Sequence, residues 1–213
     1  MKLADLREDY TKGGVSRAEM PDDPFEAFEA WLKVAHEQNI PDPNAMTVAT
    51  AGKGGVVTSR TVLLKGLVDR KLQFFTNYRS QKARDLAENP YAAITIHWKE
   101  LERQICVRGI VQKTSRETSE NYFKVRPYGS QIGAWVSEEQ SGTIPDRETI
   151  ARREAELLER FPEGSEVPCP DFWGGYELTP DYLEFWQGRQ GRLHDRLCYR
   201  RHAAAWQLDR LSP

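Results

Sequence analysis

The sequence predicts a mainly β, α+β fold in which an antiparallel barrel is flanked by helices. Five segments rich in β-branched and aromatic residues follow one another closely, with only turns and one short helix between them. They are MTVAT (46–50), VVTSRTVLLKG (56–66), KLQFFT (71–76), YAAITIHW (91–98) and QICVRGIVQKT (104–114). Three more strands are predicted at 172–178, 182–188 and 194–211, the last broken at 202–204. Such close spacing leaves no room for crossover helices and favours antiparallel pairing.

Four helical segments accompany these strands. The first opens at Pro24 behind an Asp23 cap. Its apolar residues recur at helical spacing, namely Phe25, Phe28, Leu32 and Ala35. The others are predicted at 80–90, ended by Pro90, at 115–125, behind a Thr114/Glu117 capping box, and at 146–161, led by Pro145. A glycine-rich turn, 52–55, connects the first two strands.

Bulk properties favour one compact unit of 213 residues. We divide it into a polar N-terminal arm (1–23), a helix with the barrel core (24–135), and a helix with the C-terminal strands (136–213). A formal charge of −2 gives no drive toward nucleic acid or membrane. The chain has no apolar leader, and its three cysteines lack metal-ligand spacing, so we expect a reducing, cytoplasmic location and no metal. These cysteines are Cys106, Cys169 and Cys198.

The most informative segment is EFWQGRQGRLHDR (184–196). Between Arg189 and Arg201 the chain carries five arginines and one histidine but a single acid. Guanidinium groups at this density favour an anion, and the neighbouring Phe185 and Trp186 offer a flat apolar surface. The pattern indicates a planar, anionic small molecule. The alternative is a solvated strand with salt bridges.

Two further sets of residues are typical of phosphate binding. Arg60 and Lys65 lie on opposite faces of one predicted strand, and Lys82 lies near a helix start that favours anions. A second set combines Tyr122 and Arg126, four apart on a helix, with Ser130 beyond Pro127. Each residue alone could be an ordinary surface charge. As sets, they indicate a phosphorylated cofactor beside a phosphorylated substrate.

Several nucleotide and hydrolase patterns are missing from the sequence. It contains neither GxGxxG nor GxxxxGK[ST], which disfavours a Rossmann or P-loop nucleotide site. No Ser-His-Asp or Cys-His arrangement can be recognised in the sequence, which argues against hydrolysis through a covalent intermediate.

The motifs resemble those of the pyridoxine/pyridoxamine 5′-phosphate oxidase family from about Leu6 to Pro213. In chain order they are RTVLLKG, FFTN, LERQ, YFKVRP, SQIGAWVS, QSGTIPDRE, FWGGYEL, EFWQGRQGRLHDR and a terminal DRLSP. The resemblance implies an FMN-dependent homodimer with a split antiparallel β-barrel. It also implies oxidation of pyridoxine 5′-phosphate or pyridoxamine 5′-phosphate to pyridoxal 5′-phosphate, with O₂ as acceptor and H₂O₂ released.

The resemblance also implies roles for individual residues. FMN is expected to contact Arg60, Thr61, Val62, Leu63, Leu64, Lys65, Phe75, Thr76, Lys82, Gln104, Gln140, Ser141, Trp186 and Arg196. The substrate is expected to contact Arg7, Tyr10, Lys65, Tyr122, Arg126, Ser130, Arg192, Leu193 and His194. Arg192, His194 and Arg196 are the expected catalytic residues. The chain departs from the pattern at Gln81, where many members have Arg, and at Gly142, where many have Ser, and it has one extra residue in 137–142.

Strand alternation would place Arg192, His194 and Arg196 on one face and turn Asp195 away, toward a structural arginine. Two other functions stay open. One is a different split-barrel flavin oxidase of the phenazine-biosynthesis type, whose substrate need not carry phosphate. The other is a non-catalytic carrier of pyridoxal phosphate or FMN.

Overall fold

In the computed structural model, residue 2 and residues 9–213 are described. Within them nine strands form one antiparallel sheet. The strands are β1 (Ala45–Ala51), β2 (Val57–Leu63), β3 (Gly66–Val68), β4 (Lys71–Asn77), β5 (Tyr91–Trp98), β6 (Arg103–Lys113), β7 (Trp173–Gln187), β8 (Asp195–His202) and β9 (Ala205–Arg210).

The sheet runs in the order β2-β1-β5-β6-β7-β4-β3, and β8 and β9 extend it from β7. It curls into a half-barrel, because β2 contacts β4 although the two strands are far apart in this order. β7 lies along the whole of β6 on one edge. On its other edge, residues 173–178 pair with β4 and residues 182–187 pair with β8. The α+β barrel prediction is confirmed.

The described residues also form five α-helices. They are α1 (Pro24–Glu37), α2 (Gln81–Glu88), α3 (Arg116–Lys124), α4 (Tyr128–Val136) and α5 (Glu148–Arg160). The Asp23 carboxylate caps α1 by accepting the Phe25 N–H at 3.0 Å, as predicted. Trp31 of α1 meets the inward-facing Phe185 of β7 edge-on at 5.2 Å, so α1 closes the main core. α3 and α4 cover a second, smaller core around Phe123, Ile132 and Trp173. None of the helices in the described residues has the length and apolar composition needed to cross a bilayer.

The predicted strands 172–178 and 182–188 are one continuous strand, so the predicted break is wrong. Pro180 lies inside β7, where its missing N–H is tolerated because the register with β6 shifts between Arg108 and Gly109. Gly109 faces the Thr179 carbonyl so closely that a Cβ there would lie 2.1 Å from the oxygen. The bulge therefore lets a proline-containing strand run through the sheet.

Three helix predictions need correction. The N-cap of α3 is Ser115, whose hydroxyl accepts the Thr118 N–H at 3.0 Å, and not Thr114. α5 begins two residues later than predicted, with Asp146 accepting the Thr149 N–H at 2.8 Å. α4 was not predicted, because its apolar and glycine-containing run after Pro127 has no side-chain cap.

The N-terminal and C-terminal segments also differ from their predictions in detail. Val15 and Met20 are buried in the main core, so the polar segment 1–23 is packed against the sheet from Val15 onward. The final hairpin breaks at 203–204, between β8 and β9, as predicted. The predicted strand 56–66 ends at Leu63, and the chain re-enters the sheet as β3.

Candidate active site

The first group of predicted residues forms a cationic site at the start of α2. The buried ammonium of Lys82 donates to the hydroxyls of Thr76 at 3.0 Å and Ser80 at 3.3 Å. Both acceptors are neutral, so the positive charge on Lys82 is not compensated by its hydrogen-bond partners. Thr76 comes from β4 and Ser80 is the N-cap of α2, where backbone N–H groups already favour an anion.

Arg60 belongs to the same site. Burial and then the nearby Arg60 charge lower the pKa of Lys82 to about 8. The Arg60 guanidinium donates to the Thr50 hydroxyl at 2.7 Å, and Thr50 in turn donates to the Asp85 carboxylate at 2.7 Å. Asp85 thus orients Arg60 through a hydroxyl and does not pair with it directly. Two neighbouring cations with hydroxyl partners are a chemically suitable cradle for a phosphate group.

The loop after α4 reaches this cationic site. The Thr76 hydroxyl donates to the Gln140 side-chain oxygen at 3.4 Å, and the Gln81 N–H donates to the Ser141 hydroxyl at 3.2 Å. The structure therefore brings Gln140 and Ser141 next to the cationic site. The Gln81 side chain donates to Asp85 at 2.7 Å, so this neutral residue contacts an acid instead of adding a third cation.

A second group is an aromatic stack that holds Arg126. Tyr122 of α3 stacks on Phe75 of β4 with ring centroids 4.0 Å apart, and Phe75 stacks on Trp173 of β7 at 5.6 Å. The Arg126 guanidinium lies over the Trp173 ring at 4.6 Å. Because Phe75 and Thr76 are adjacent on β4, the stack and the cationic site lie on opposite faces of the same strand end.

Arg126 is equipped to bind an anion. Its Nη1 is the one buried side-chain nitrogen or oxygen without a hydrogen-bond partner in the part of the chain that the structure describes. Burial lowers the pKa of the Arg126 guanidinium, and Tyr122 acts in the opposite direction. A buried unpaired donor is costly, so this nitrogen is suited to a ligand oxygen. Ser130 lies at the start of α4, and exposed Lys65 donates its N–H to Gln73, two residues from Phe75.

A third group lies at the other end of β7. Trp186 and His194 have ring centroids 4.7 Å apart, and the Tyr10 ring meets both edge-on, at 5.5 and 5.3 Å. His194 Nδ1 accepts the Arg189 N–H at 3.1 Å. Arg192 and Leu193 are exposed beside this cluster. Arg7 lies outside the described residues.

The predicted common strand face of Arg192, His194 and Arg196 is wrong. Residues 190–192 form a 3-10 turn, Arg192 has a left-handed φ of 61°, and β8 begins only at Asp195. The alternation rule that placed the three side chains together applies only to extended backbone. Asp195 does pair with arginines, as predicted: it bridges Arg189 at 3.3 Å and also contacts Arg210.

Arg196 is held by the protein itself. Its Nε and Nη2 donate to Glu184 at 2.7 and 3.2 Å, and its Nη1 donates to the Ser212 carbonyl at 3.1 Å. The ion pair with Glu184 raises the pKa of Arg196. Gln104, Trp186 and Arg196 occupy directly opposite positions on β6, β7 and β8, so they share the outer face of the sheet.

The predicted cofactor strand has two different faces. Thr61, Leu63 and Lys65 are exposed, whereas Leu64 is buried in the main core with Val62 packed against that core. The Leu64 side chain is therefore turned away from solvent, and that of Val62 is partly exposed.

The aromatic stack and the Trp186 cluster are too far apart to hold one small molecule within a protomer. Trp173 is the first residue of the 15-residue strand β7, and Trp186 is the last but one. Thirteen residues of extended chain span about 40 Å. A site that uses both groups therefore needs two copies of the chain.

Sequence reasoning missed several residues of these groups. Trp173 lies in the FWGGYEL motif, but its support of Arg126 was not predicted. Asp85, and Glu184 within EFWQGRQGRLHDR, were assigned no role, because their contacts with Thr50 and Arg196 depend on pairing between separate segments. A serine directly before a helix that contains Lys82 was the one local signal for the cationic site.

Two family models match the chain. One, described as Pyridoxamine 5'-phosphate oxidase, matches residues 32–160, and the other, described as Pyridoxine 5'-phosphate oxidase C-terminal dimerisation region, matches residues 173–213. Pyridoxine/pyridoxamine 5'-phosphate oxidases of Burkholderia ambifaria and Burkholderia multivorans are 50% and 51% identical over 214 residues, with 99% of both chains covered.

Solved structures show the same architecture. PhzG from Burkholderia lata 383, in complex with tetrahydrophenazine-1-carboxylic acid, is 30% identical with a TM-score of 0.86, over 92% of this chain and 95% of that one. A pyridoxamine 5'-phosphate oxidase-related, FMN binding protein of Nostoc punctiforme is 16% identical with a TM-score of 0.72, over 91% and 100% of the two chains, and supports the fold alone.

The half-barrel and its solved neighbours define the class, the split barrels related to pyridoxamine phosphate oxidase. Within that class, the chain belongs to the pyridoxine/pyridoxamine 5′-phosphate oxidase family, whose members are flavoprotein oxidoreductases. The predicted family is therefore confirmed, and its C-terminal part is a dimerisation region.

Proposed function

We propose that the protein oxidises pyridoxine 5′-phosphate and pyridoxamine 5′-phosphate to pyridoxal 5′-phosphate. The alcohol loses two electrons and two protons, which reduce O₂ to H₂O₂. The amine additionally takes up water and releases ammonia. The observation that carries the proposal is the partnerless, buried Nη1 of Arg126, held beside stacked aromatic rings. A flat ring that bears a phosphate matches both features.

FMN fits the residues of the cationic site. Arg60 and Lys82 would hold its phosphate with the hydroxyls of Thr76 and Ser80, and two cations suit a phosphate dianion. Gln104, Gln140, Ser141, Trp186 and Arg196 are proposed as further contacts. Bound FMN supplies the acceptor that takes a hydride from the substrate carbon and passes electrons to O₂.

The remaining residues bind and orient the substrate. Arg126 and Tyr122 hold its phosphate, together with Lys65 and Ser130, and Arg192 contacts the pyridine substituents. Because His194 Nδ1 accepts the Arg189 N–H, the proton of a neutral His194 lies on Nε2. That Nε2 proton can be donated to a substrate oxygen, so we assign His194 to orientation and proton handling.

The proposed site is built from two protomers of a homodimer. Arg126 and His194 belong to groups about 40 Å apart along one strand, at a rise of about 3.3 Å per residue. A second copy that packs on the outer sheet face would bring its Trp186 end to the first copy's aromatic stack. The division into an arm (1–23), a barrel core (24–135) and a dimerisation and substrate region (136–213) is part of this proposal, as is a cytoplasmic location.

A phenazine-type oxidase is the second candidate. Its support is the similarity to PhzG at 30% identity. The two functions differ in the anion that Arg126 would bind, which is a phosphate in the first and a carboxylate in the second, since the ligand of PhzG is a carboxylic acid.

Purified protein should show flavin absorbance and release H₂O₂ with pyridoxine 5′-phosphate but far less with pyridoxine. Arg126→Ala should raise KM for the phosphorylated substrate about 30- to 100-fold, since a charge-assisted contact contributes about 2–3 kcal/mol. Lys124→Ala, which removes an exposed cation at the end of α3 two residues before Arg126, is the matched control and should change KM little.

The outcomes separate the candidates. Equal activity with and without the substrate phosphate would refute the assignment of Arg126 to that phosphate. Retained flavin without H₂O₂ from either substrate would refute the proposed reaction. H₂O₂ release from tetrahydrophenazine-1-carboxylic acid would then favour the phenazine-type oxidase, and no release would favour a carrier.

A further inference from the structure

The segment that carries Tyr10 is held by a single carboxylate. Glu102, in the turn between β5 and β6, accepts the Thr11 N–H at 2.9 Å on one oxygen and 2.8 Å on the other. Its second oxygen also accepts the Lys12 N–H at 2.9 Å. Two consecutive backbone donors therefore converge on one negative charge. This arrangement fixes backbone position and does not depend on the side chains of residues 11 and 12.

Glu102 has a left-handed backbone conformation, with a φ of 54° and a ψ of 36°, where glycine is the usual residue. Because other non-glycine residues of the described chain share it, this conformation does not by itself indicate a use for the side chain. The contact with residues 11 and 12 is a use that the structure shows.

The segment held by Glu102 packs the Tyr10 ring closely against its neighbours. The Tyr10 ring lies edge-on to both Trp186 and His194. It also lies directly over Gly188, where a Cβ would be 2.6 Å from the ring. The Gly188 N–H donates to the Glu102 carbonyl at 2.8 Å. The same residue, Glu102, therefore contacts both the backbone beside Tyr10 and the glycine beneath the Tyr10 ring.

We propose that Glu102 is a positioning residue that clasps residues 10–12 over Trp186 and His194. Through Tyr10 it covers the end of the site to which His194 belongs. Its effect on catalysis rests on the proposed function, whereas the clasp itself does not. Opening of the clasp would release the cover and let a bound ring leave faster.

Glu102→Gly tests the clasp without a folding penalty, because it removes the carboxylate and relieves the left-handed strain together. Trypsin cleavage after Lys12, followed by mass spectrometry of the fragment that begins at Gly13, measures opening of the segment. We expect this cleavage to accelerate at least about five-fold, the loss of roughly one net hydrogen bond. The melting temperature should stay unchanged or rise.

The same holoenzyme variant reports on catalysis. KM for pyridoxine 5′-phosphate should rise about five-fold while kcat changes less than about two-fold, because only the cover is loosened. Glu102→Gln, which keeps the length and one acceptor, should fall between the glycine variant and the wild type. Glu100→Ala removes an exposed carboxylate from the same turn and should match the wild type.

If trypsin cleaves Glu102→Gly after Lys12 at the same rate as the wild type, the proposed clasp is wrong. Faster cleavage with an unchanged KM would overturn the positioning role. If the wild-type protein fails to oxidise pyridoxine 5′-phosphate, the proposed function falls, and faster cleavage in Glu102→Gly still supports the clasp.

Discussion

At the scale of single residues, the cationic site shows how burial changes what a lysine can do. Lys82 is buried among hydroxyls beside Arg60, and both features disfavour its charged form. A phosphate would reverse this effect, because an opposite charge favours the ammonium. Binding of a phosphate should therefore be coupled to the protonation of Lys82.

This coupling gives a pH prediction with a definite sign. Without ligand, Lys82 has a pKa of about 8, so it loses its proton as pH rises through that value. The affinity for FMN relative to riboflavin, which lacks the phosphate, should therefore fall above pH 8. Lys82→Arg should abolish the fall, since arginine stays protonated. Lys82→Met should weaken FMN binding by about 1.5–3 kcal/mol at pH 7. Fluorescence titration of both flavins measures the ratio.

The opposite trend is expected for the stability of the ligand-free protein. The unfolded chain keeps the Lys82 proton up to a pKa near 10.5, so it binds more protons than the folded chain between about pH 8 and 10.5. The Lys82 contribution to the free energy of unfolding therefore rises with pH over this window.

A ratio of FMN to riboflavin affinity that stays constant from pH 7 to 9.5 would contradict the assignment of Lys82 to the phosphate.

At the scale of elements, β7 organises the molecule. Its 15 residues pair with β6, β4 and β8, and they carry Trp173 and Trp186 near opposite ends. The bulge opposite Pro180 preserves this continuity. Without it, β7 would break and the two aromatic groups would lose their fixed separation.

Gly109→Ala should therefore destabilise the fold. The added Cβ would lie 2.1 Å from the Thr179 carbonyl oxygen and 2.9 Å from Pro180 Cα. Both are backbone atoms of a paired strand, so they cannot move aside without distorting the sheet. We expect the free energy of unfolding to drop by about 1–3 kcal/mol, as for other overpacked sites. Urea denaturation of the ligand-free protein measures it.

Gly54→Ala is the control for that measurement. A Cβ at Gly54 has no heavy atom within 4 Å, so stability should change little. If the two variants unfold at the same urea concentration, the close approach at the bulge does not limit stability.

At the scale of the whole molecule, the proposed site depends on the dimer. Arg126 and His194 are each proposed to act on the substrate, yet they lie at distant ends of one protomer. In a shared site, Arg126 of one copy acts together with His194 of the other. This arrangement predicts complementation between two inactive variants.

Arg126→Ala and His194→Ala should each be nearly inactive as homodimers when the substrate concentration is kept near the wild-type KM, far below the raised KM of Arg126→Ala. When they are unfolded and refolded together, half of the dimers are mixed, and each mixed dimer regains one of its two sites. About a quarter of wild-type activity should return, as two-fold symmetry requires. If both residues served one site within a single protomer, mixing would restore nothing. Arg126→Ala refolded with the Arg126→Ala/His194→Ala double variant is the negative control.

Much of this protein follows from its sequence. Residue composition and turn signals predicted eight strand segments, two of which form the single strand β7, and the helix start at Asp23 follows from local capping chemistry. The family followed from motifs spread over nearly the whole chain, and the family models confirm it. The arginine, lysine and tyrosine of the two phosphate-binding sets were predicted as residue types that suit phosphate. The predicted flat surface of Phe185 and Trp186 is wrong for Phe185, which is buried in the main core.

Only the tertiary structure decided which of these residues meet. Strand alternation placed Arg192, His194 and Arg196 on one face, but a left-handed turn at Arg192 separates them. The partnership of Arg196 with Glu184 and the clasp of Glu102 on residues 11 and 12 join positions that no local rule connects. Local sequence sets backbone preference within a few residues, whereas these contacts depend on how the β6–β7 bulge and the curl of the sheet bring distant segments together.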